Sequence, residues 1–203
     1  LVDDGWGEES AHRVSRWDPF DQNASSDWFD PEWMFGTNAF DLVIGNPPYI
    51  QLQKALPNGS DLKYGDLYQD EGYETFARKG DIYGLFYAKG LNLTTEGGLL
   101  CYITSNKWMR ANYGKKLRKF FTKKDPLLLL DLGPGIFASA TVDTNILILR
   151  NRRPRSHDLR ALPLKDASQI DFLYQNPMTR MTDLSEESWI ILTPEEMAIK
   201  EKI

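Results

Sequence analysis

Four short apolar runs punctuate the chain: FDLVIG at residues 40–45, LLCYIT at 99–104, LLLLDLG at 127–133 and NILILR at 145–150. Each is short and nearly unbroken by polar residues, the pattern of strands buried on both faces. Between the first two, Ile82, Leu85, Phe86 and Leu93 recur at helical spacing, and Glu96-Gly97-Gly98 stops that helix. Between the second and third, residues 107–124 fit a helix with Leu117, Phe120 and Phe121 on its apolar side, ended by Pro126. Residues 51–80 are polar and rich in Gly, Asp and Tyr, and read as a long loop with some helix. Strands alternating with helices predict an α/β fold, a Rossmann-like parallel sheet with helices on both faces.

The flanks carry less period. Residues 1–36 hold four tryptophans among Asp, Ser, Gly and Pro, and read as an irregular acidic segment. Asn151-Arg-Arg-Pro-Arg155 looks like a boundary, so residues 37–155 form the predicted catalytic unit and 156–203 a connector. Within that connector Thr179–Glu187 reads as loop, Trp189 as a packing residue, and Pro194–Ile203 as the start of a helix.

LLLLDLGPGIF, residues 127–137, imitates a strand followed by a glycine-rich nucleotide loop. Geometry argues against that reading. A parallel pair needs a crossover of roughly a dozen residues or more, usually helical, and Phe137–Thr144 offers no helix. The two strands are expected to form an antiparallel hairpin, with Gly133 and Gly135 as turn residues.

Composition narrows the chemistry. The chain has 203 residues, enough for one sizeable core. No apolar run approaches a membrane span. Cys101 is the only cysteine and His12 and His157 the only imidazoles; this excludes a disulfide framework and argues against zinc or Ser-His-Asp chemistry. A reducing, cytoplasmic setting is the expectation. The net charge of −5 conceals an uneven layout. Residues 1–41 are acidic, whereas residues 107–124 hold eight lysines and arginines and no acid. Such a stretch is either a phosphate-binding patch or a solvated helix face.

The most specific stretch follows the first strand: Asn46-Pro47-Pro48-Tyr49. Ligands of open α/β sheets bind beyond the carboxyl ends of strands. Pro47 biases Asn46 toward an extended conformation, and both prolines fix φ and remove donors. The corner is therefore stiff and rich in acceptors. The Asn46 side-chain oxygen and a nearby carbonyl, that of Pro47, can converge on an amine conjugated to a ring. Accepting both its hydrogens makes that nitrogen more electron-rich, so it can attack a sulfonium methyl group without a strong general base. Tyr49 would stack on the ring, and a base in duplex DNA would first be flipped out.

Taken together, SDWFDPEWMFG, FDLVIGNPPYI, GDIYGLFYAKGLNLTTEGGLLCYITSNKWMRANYGKKLRKFF and LDLGPGIFASATVDTNILIL resemble the N6-adenine DNA methyltransferases of restriction–modification systems, especially large type II enzymes that fuse methylase and nuclease. The resemblance covers roughly residues 27–203. It implies S-adenosylmethionine as methyl donor, double-stranded DNA as partner, and a target-adenine site at Asn46, Pro47, Pro48 and Tyr49. It implies a cofactor-side role for Asp81 and Tyr83. It places Ser105, Asn106 and Lys107 beside the DNA cleft, with Arg110, Lys115 and Lys116 on the basic stretch as further DNA contacts. It also implies an apolar residue near the last strand against the flipped base, at a position the sequence does not assign.

The family's glycine-rich first motif and its first three strands do not precede residue 40, and neither a target-recognition domain nor a nuclease motif is recognisable. The expectation is a fragment whose strands correspond to the fourth to seventh of the family, in the order 4-5-7-6 with one antiparallel. Such a chain would bind methyl donor poorly, be inactive alone, and either self-associate through the exposed edge of its first strand or cover that edge with residues 1–36. Two rival readings share the loop: an RNA or protein-glutamine amino-methyltransferase, and a non-catalytic DNA-binding module.

Overall fold

The computed structural model describes residue 5 and residues 7–16, 30–57, 59–133, 142–164, 167–193, 196 and 199. It divides into two compact units, Leu1–Asn38 and Ala39–Ile203. The first contains two short helices, α1 (Glu8–Ser15) and α2 (Pro31–Phe35), where the sequence suggested irregular chain.

The second unit is built on one six-stranded sheet. Its strands are β1 (Phe40–Gly45), β2 (Thr94–Ser105), β3 (Asp125–Gly133), β4 (Thr144–Arg150), β5 (Leu159–Pro163) and β6 (Thr179–Met181). Their order is β1-β2-β4-β3-β5-β6. β1 and β2 are parallel, and so are β3 and β5; β4 runs antiparallel to both its neighbours. The order of the first four strands and the antiparallel β3–β4 pair are those expected from the sequence. Gly133 takes a positive φ of 65° at the end of β3, as its turn role requires. Gly135 lies outside the described residues, as does most of Pro194–Ile203.

A short α3 (Tyr64–Tyr68) lies between β1 and β2 in the chain, and helical segments cover both faces of the sheet. On one face α4 (Tyr83–Asn92) and α5 (Lys115–Thr122) bury Tyr87, Leu91, Phe120 and Phe121 against Leu100, Leu129, Leu147 and Leu149 of the sheet. Gly90 lets α4 approach β2, because a Cβ there would lie 2.4 Å from the Tyr102 hydroxyl. On the other face a 3₁₀ segment, Ala167–Gln175, packs Ile170 and Leu173 on Leu130, Leu132 and Leu162. Trp189 is buried edge-on between Trp108 and the Phe121 ring, a packing residue as expected.

Four expectations are corrected. β1 is not buried on both faces: Leu42 and Ile44 are 51% and 69% exposed, while Val43 packs into the core. Phe86 also faces outward. The basic stretch is not one helix. It forms two 3₁₀ turns, Asn106–Met109 and Asn112–Gly114, before α5 begins. The chain turns so tightly there that a Cβ on Gly114 would lie 2.1 Å from the Trp108 carbonyl oxygen. Finally, the sheet continues past residue 155, since β5 pairs with β3 and β6 with β5; Thr179–Met181 is strand rather than loop.

Candidate functional site

The Asn46–Tyr49 corner leaves the carboxyl end of β1, beside the carboxyl end of β2. There β1 stops in register with Tyr102, and β2 continues to Ser105, which pairs with Thr144 at the start of β4. Pro47 is buried and Asn46 and Pro48 are exposed. The Asn46 side chain makes no hydrogen bond to any described residue, so its amide is not consumed by the fold. The Tyr49 ring is half-buried, meets Tyr83 edge-on with centroids 6.3 Å apart, and has its hydroxyl pKa raised by burial.

Tyr49 lines a cavity of about 560 Å³. One wall is the chain that follows the proline corner, including Gln51, Gln53, Lys54 and Lys63; the other comes from Ser105, Lys107 and Val142. Asn46 itself is not among the lining residues. The first wall is pinned from behind. Ile82 N–H donates to the Ile50 carbonyl at 2.9 Å, Leu52 N–H to that of Gly80 at 2.8 Å, and Gln51 bridges to Asp81. These bonds bring Asp81, half-buried, into the cavity beside Tyr49.

Asp81 is held in turn. The Tyr113 hydroxyl donates to its Oδ2 at 3.1 Å, and the Tyr83 hydroxyl lies 3.4 Å from that of Tyr113. Burial pushes the Tyr113 hydroxyl up to about 12 and the Tyr83 hydroxyl higher still. Both therefore stay protonated at ordinary pH. Tyr83 is only 1% exposed, is not among the cavity's lining residues and packs in the core, so of the two cofactor-side candidates the structure brings only Asp81 to the cavity.

The DNA-side candidates separate. Ser105 is buried, and its Oγ accepts the Lys107 N–H at 3.3 Å, capping the 3₁₀ turn. Asn106 is engaged within the fold: its Nδ2 donates to Asp131 Oδ1 at 2.8 Å and its N–H to the Asp143 carbonyl at 3.0 Å. Lys107 is exposed and borders both the main cavity and a second one of about 310 Å³ that Arg110 and Tyr113 also line. Lys115 lies on α5, paired with Glu186 at 3.2 Å and Glu187 at 3.3 Å. Lys116 is exposed and borders neither cavity. Arg118 of the same stretch is not a surface cation at all but is buried against backbone carbonyls. Sequence reasoning missed Lys54, Lys63, Tyr113 and Val142. No periodicity marks them, and only the pairing of distant backbone segments brings them to one place. No group of His, Cys, Asp and Glu suited to a metal ion exists among the described residues, and none of their helices is long and apolar enough to cross a membrane.

Comparison with known proteins bears on the family and the fold. The model of the Eco57I restriction-modification methylase family matches residues 6–137. The type II methyltransferase M.BstVI of Geobacillus stearothermophilus is 39% identical over 83 residues, covering 41% of this chain and 14% of that protein. The type II restriction enzyme and methyltransferase RM.Eco57I of Escherichia coli is 31% identical over 143 residues, covering 66% of this chain and 14% of that protein. The chain thus spans about a seventh of the length of these relatives. Among solved structures, a nuclease-deletion mutant of the type ISP restriction-modification enzyme LlaGI, in complex with a DNA substrate mimic, superposes with a TM-score of 0.56 at 18% identity, covering 73% of this chain and 18% of that one. The type ISP enzyme LlaBIII bound to DNA gives 0.55 at 16% identity, covering 85% and 14%. At these identities the likeness is one of fold.

Proposed function

The chain belongs to the Eco57I restriction-modification methylase family, and from that premise we propose that its Asn-Pro-Pro-Tyr corner holds the N6 amine of an adenine extruded from duplex DNA while that nitrogen is methylated. The observation that carries this reading is the state of Asn46. It stands at the carboxyl end of β1, exposed and with its amide unused by the described residues, three residues before the aromatic ring that lines the cavity. A structural turn would have turned that amide inward onto its own neighbours.

In this reading Asn46 Oδ1 and a backbone carbonyl of the proline corner each accept one N6 hydrogen. Both bonds strengthen as positive charge develops on nitrogen, so they favour the transition state over the bound base. The prolines keep the acceptors from rotating away, and the released proton passes to solvent after transfer. Tyr49 offers the base one face. Val142, just ahead of β4, supplies an apolar side to the opposite wall. Extrusion costs about a few kcal/mol, and aromatic stacking returns about 1–3 kcal/mol of it.

S-adenosylmethionine, the donor implied by the family, supplies a methyl group on a sulfonium sulfur when bound. The cavity beside Tyr49 does not fit that donor. It sets three lysines against one carboxylate, which opposes a cation and suits an anionic strand. Asp81 is the one lining residue with the sign to hold a positive or hydroxyl-bearing part of the donor.

The test is methyl transfer from labelled donor by the protein that carries this chain, offered duplex DNA, RNA and protein acceptors in parallel. Asn46→Ala removes one of two acceptors and should lower transfer to DNA adenine by about 10²–10³, the usual loss for one such group, with DNA affinity retained. Transfer to RNA or to protein glutamine would replace the substrate in this reading. Equal loss of transfer and affinity would reduce the site to a binding module.

A further inference from the structure

We infer that Lys54 and Lys63, both on the excursion that follows the proline corner, form with Lys107 a grip on the phosphates flanking the extruded base. This rests on the DNA reading above and extends it to residues the sequence did not mark.

The excursion is a small pinned ladder rather than a free loop. Ala55 bridges to Lys63, Leu56 N–H donates to the Leu62 carbonyl at 2.9 Å, and Tyr64 N–H donates to the Lys54 carbonyl at 3.0 Å. Gly65 N–H closes onto the Leu52 carbonyl at 2.7 Å. Lys63 is thereby held opposite Ala55 and Lys54 opposite Tyr64 across a turn, and both lysines line the cavity beside Tyr49. Lys107 enters the same cavity from the opposite wall.

Like charges gathered at one cavity repel one another. Asp66 lies close enough to feel the Lys63 charge, so the relief is partial. The one carboxylate lining the cavity is Asp81, which already accepts the Tyr113 hydroxyl. Asp66, on the turn after Lys63, accepts the Lys63 backbone N–H at 2.8 Å and pairs with Arg78 at 2.6 Å. Among the described residues none of the three lysines makes an ion pair, whereas Lys115, Lys119 and Lys123 of the basic stretch all do, with Glu186, Glu187 or Glu74. Free cations thus gather at the cavity, inside a chain of net charge −5, and the cations that look most suited to DNA from sequence are partly neutralised. Three exposed lysines around one cavity suit phosphodiester oxygens, and a point charge needs no fixed hydrogen-bond geometry to bind them.

The test is fluorescence anisotropy of a short labelled duplex carrying one adenine opposite an abasic site, titrated with the chain across a KCl series. Replacing both Lys54 and Lys63 with Ala should lower the slope of log affinity against log salt by about 1.8, two phosphates at about 0.9 each. Replacing both with Arg should restore it, and Lys89→Ala, on the outer side of α4, should leave it unchanged. An unchanged slope in the Ala double variant, or no retention of the duplex by the wild type at low salt, overturns the inference. So does lysine-dependent binding of inorganic phosphate without duplex binding, which would assign a lone-phosphate site. Methyl transfer is read separately with Asn46→Ala as blank. If DNA is methylated but the slope does not change, this inference falls alone; if the acceptor is RNA or protein, the reading beneath it falls.

Discussion

Arg118 gives the sharpest test of how this site is held. Its side chain is 3% exposed, and Nη1 donates to the Trp108 and Ala111 carbonyls at 2.5 Å and 2.9 Å, while Nε donates to that of Glu186 at 2.9 Å. One guanidinium therefore ties α5 to the turn that carries Lys107 and Arg110, and both to the segment leading into Trp189. Arg118→Met keeps most of the apolar stem and removes every donor. A buried acceptor left alone costs about 1–3 kcal/mol. The Trp108 carbonyl lies under buried side chains and should suffer the full loss; those of Ala111 and Glu186 are nearer water and lose only part. The sum is about 3 kcal/mol. For a chain of this size that lowers Tm by roughly 6–12 °C. Equilibrium urea unfolding should show a lower midpoint with an unchanged m-value, and hydrogen exchange should accelerate at residues 106–114 before it does in α4. A loss below about 1 kcal/mol would mean that water replaces the guanidinium at all three carbonyls, and the clamp would be packing rather than hydrogen bonding.

Two further outcomes are expected. Tyr113 is raised to about 12 against an unfolded value near 10, so its proton is bound more tightly in the folded state. Its contribution is intact below about pH 10 and is lost as pH rises toward 12; Tyr113→Phe should flatten the alkaline limb of a stability–pH curve, and an identical limb in the variant would refute the assignment. Self-association through β1 should appear as concentration-dependent mass in sedimentation equilibrium, and Ile44→Lys should suppress it without lowering Tm, because Ile44 is already 69% exposed; a variant that melts early would place Ile44 in the fold instead.

What was legible in the sequence was local. FDLVIG, LLCYIT, LLLLDLG and NILILR announce strands because apolar runs that short have few other uses, and Gly133 announces a turn. The proline corner is legible because proline restricts φ whatever surrounds it. The misread parts depend on partners far away in sequence. Leu42 and Ile44 are as apolar as Val43, but only what packs on each face decides which is covered. The basic stretch has helical propensity throughout, yet Arg118 bends the chain toward carbonyls 7 and 10 residues back. β5 reads as nothing in particular because its reason for being a strand is β3, reached only after the chain has passed through β4. Lys54 and Lys63 were invisible for the same cause: a lysine's sequence neighbours do not say which cavity its backbone will face.

The stretch that most resembled a nucleotide loop shows how one such distant pairing shapes the site. The strand that opens LLLLDLGPGIF pairs antiparallel with β4. Because β4 returns antiparallel between β2 and β3, its first residue, Thr144, lies level with Ser105 at the carboxyl ends of β1 and β2. Val142, two residues earlier, is thereby delivered to the cavity that Tyr49 lines. Had β4 run parallel, its entry would lie at the other end of a 7-residue strand, about 20 Å away at about 3.3 Å per residue. The cavity would then keep Tyr49, Ser105 and Lys107 and lose Val142. The direction of a single strand thus decides whether Val142 reaches the cavity beside Tyr49, and no residue of the corner itself encodes that.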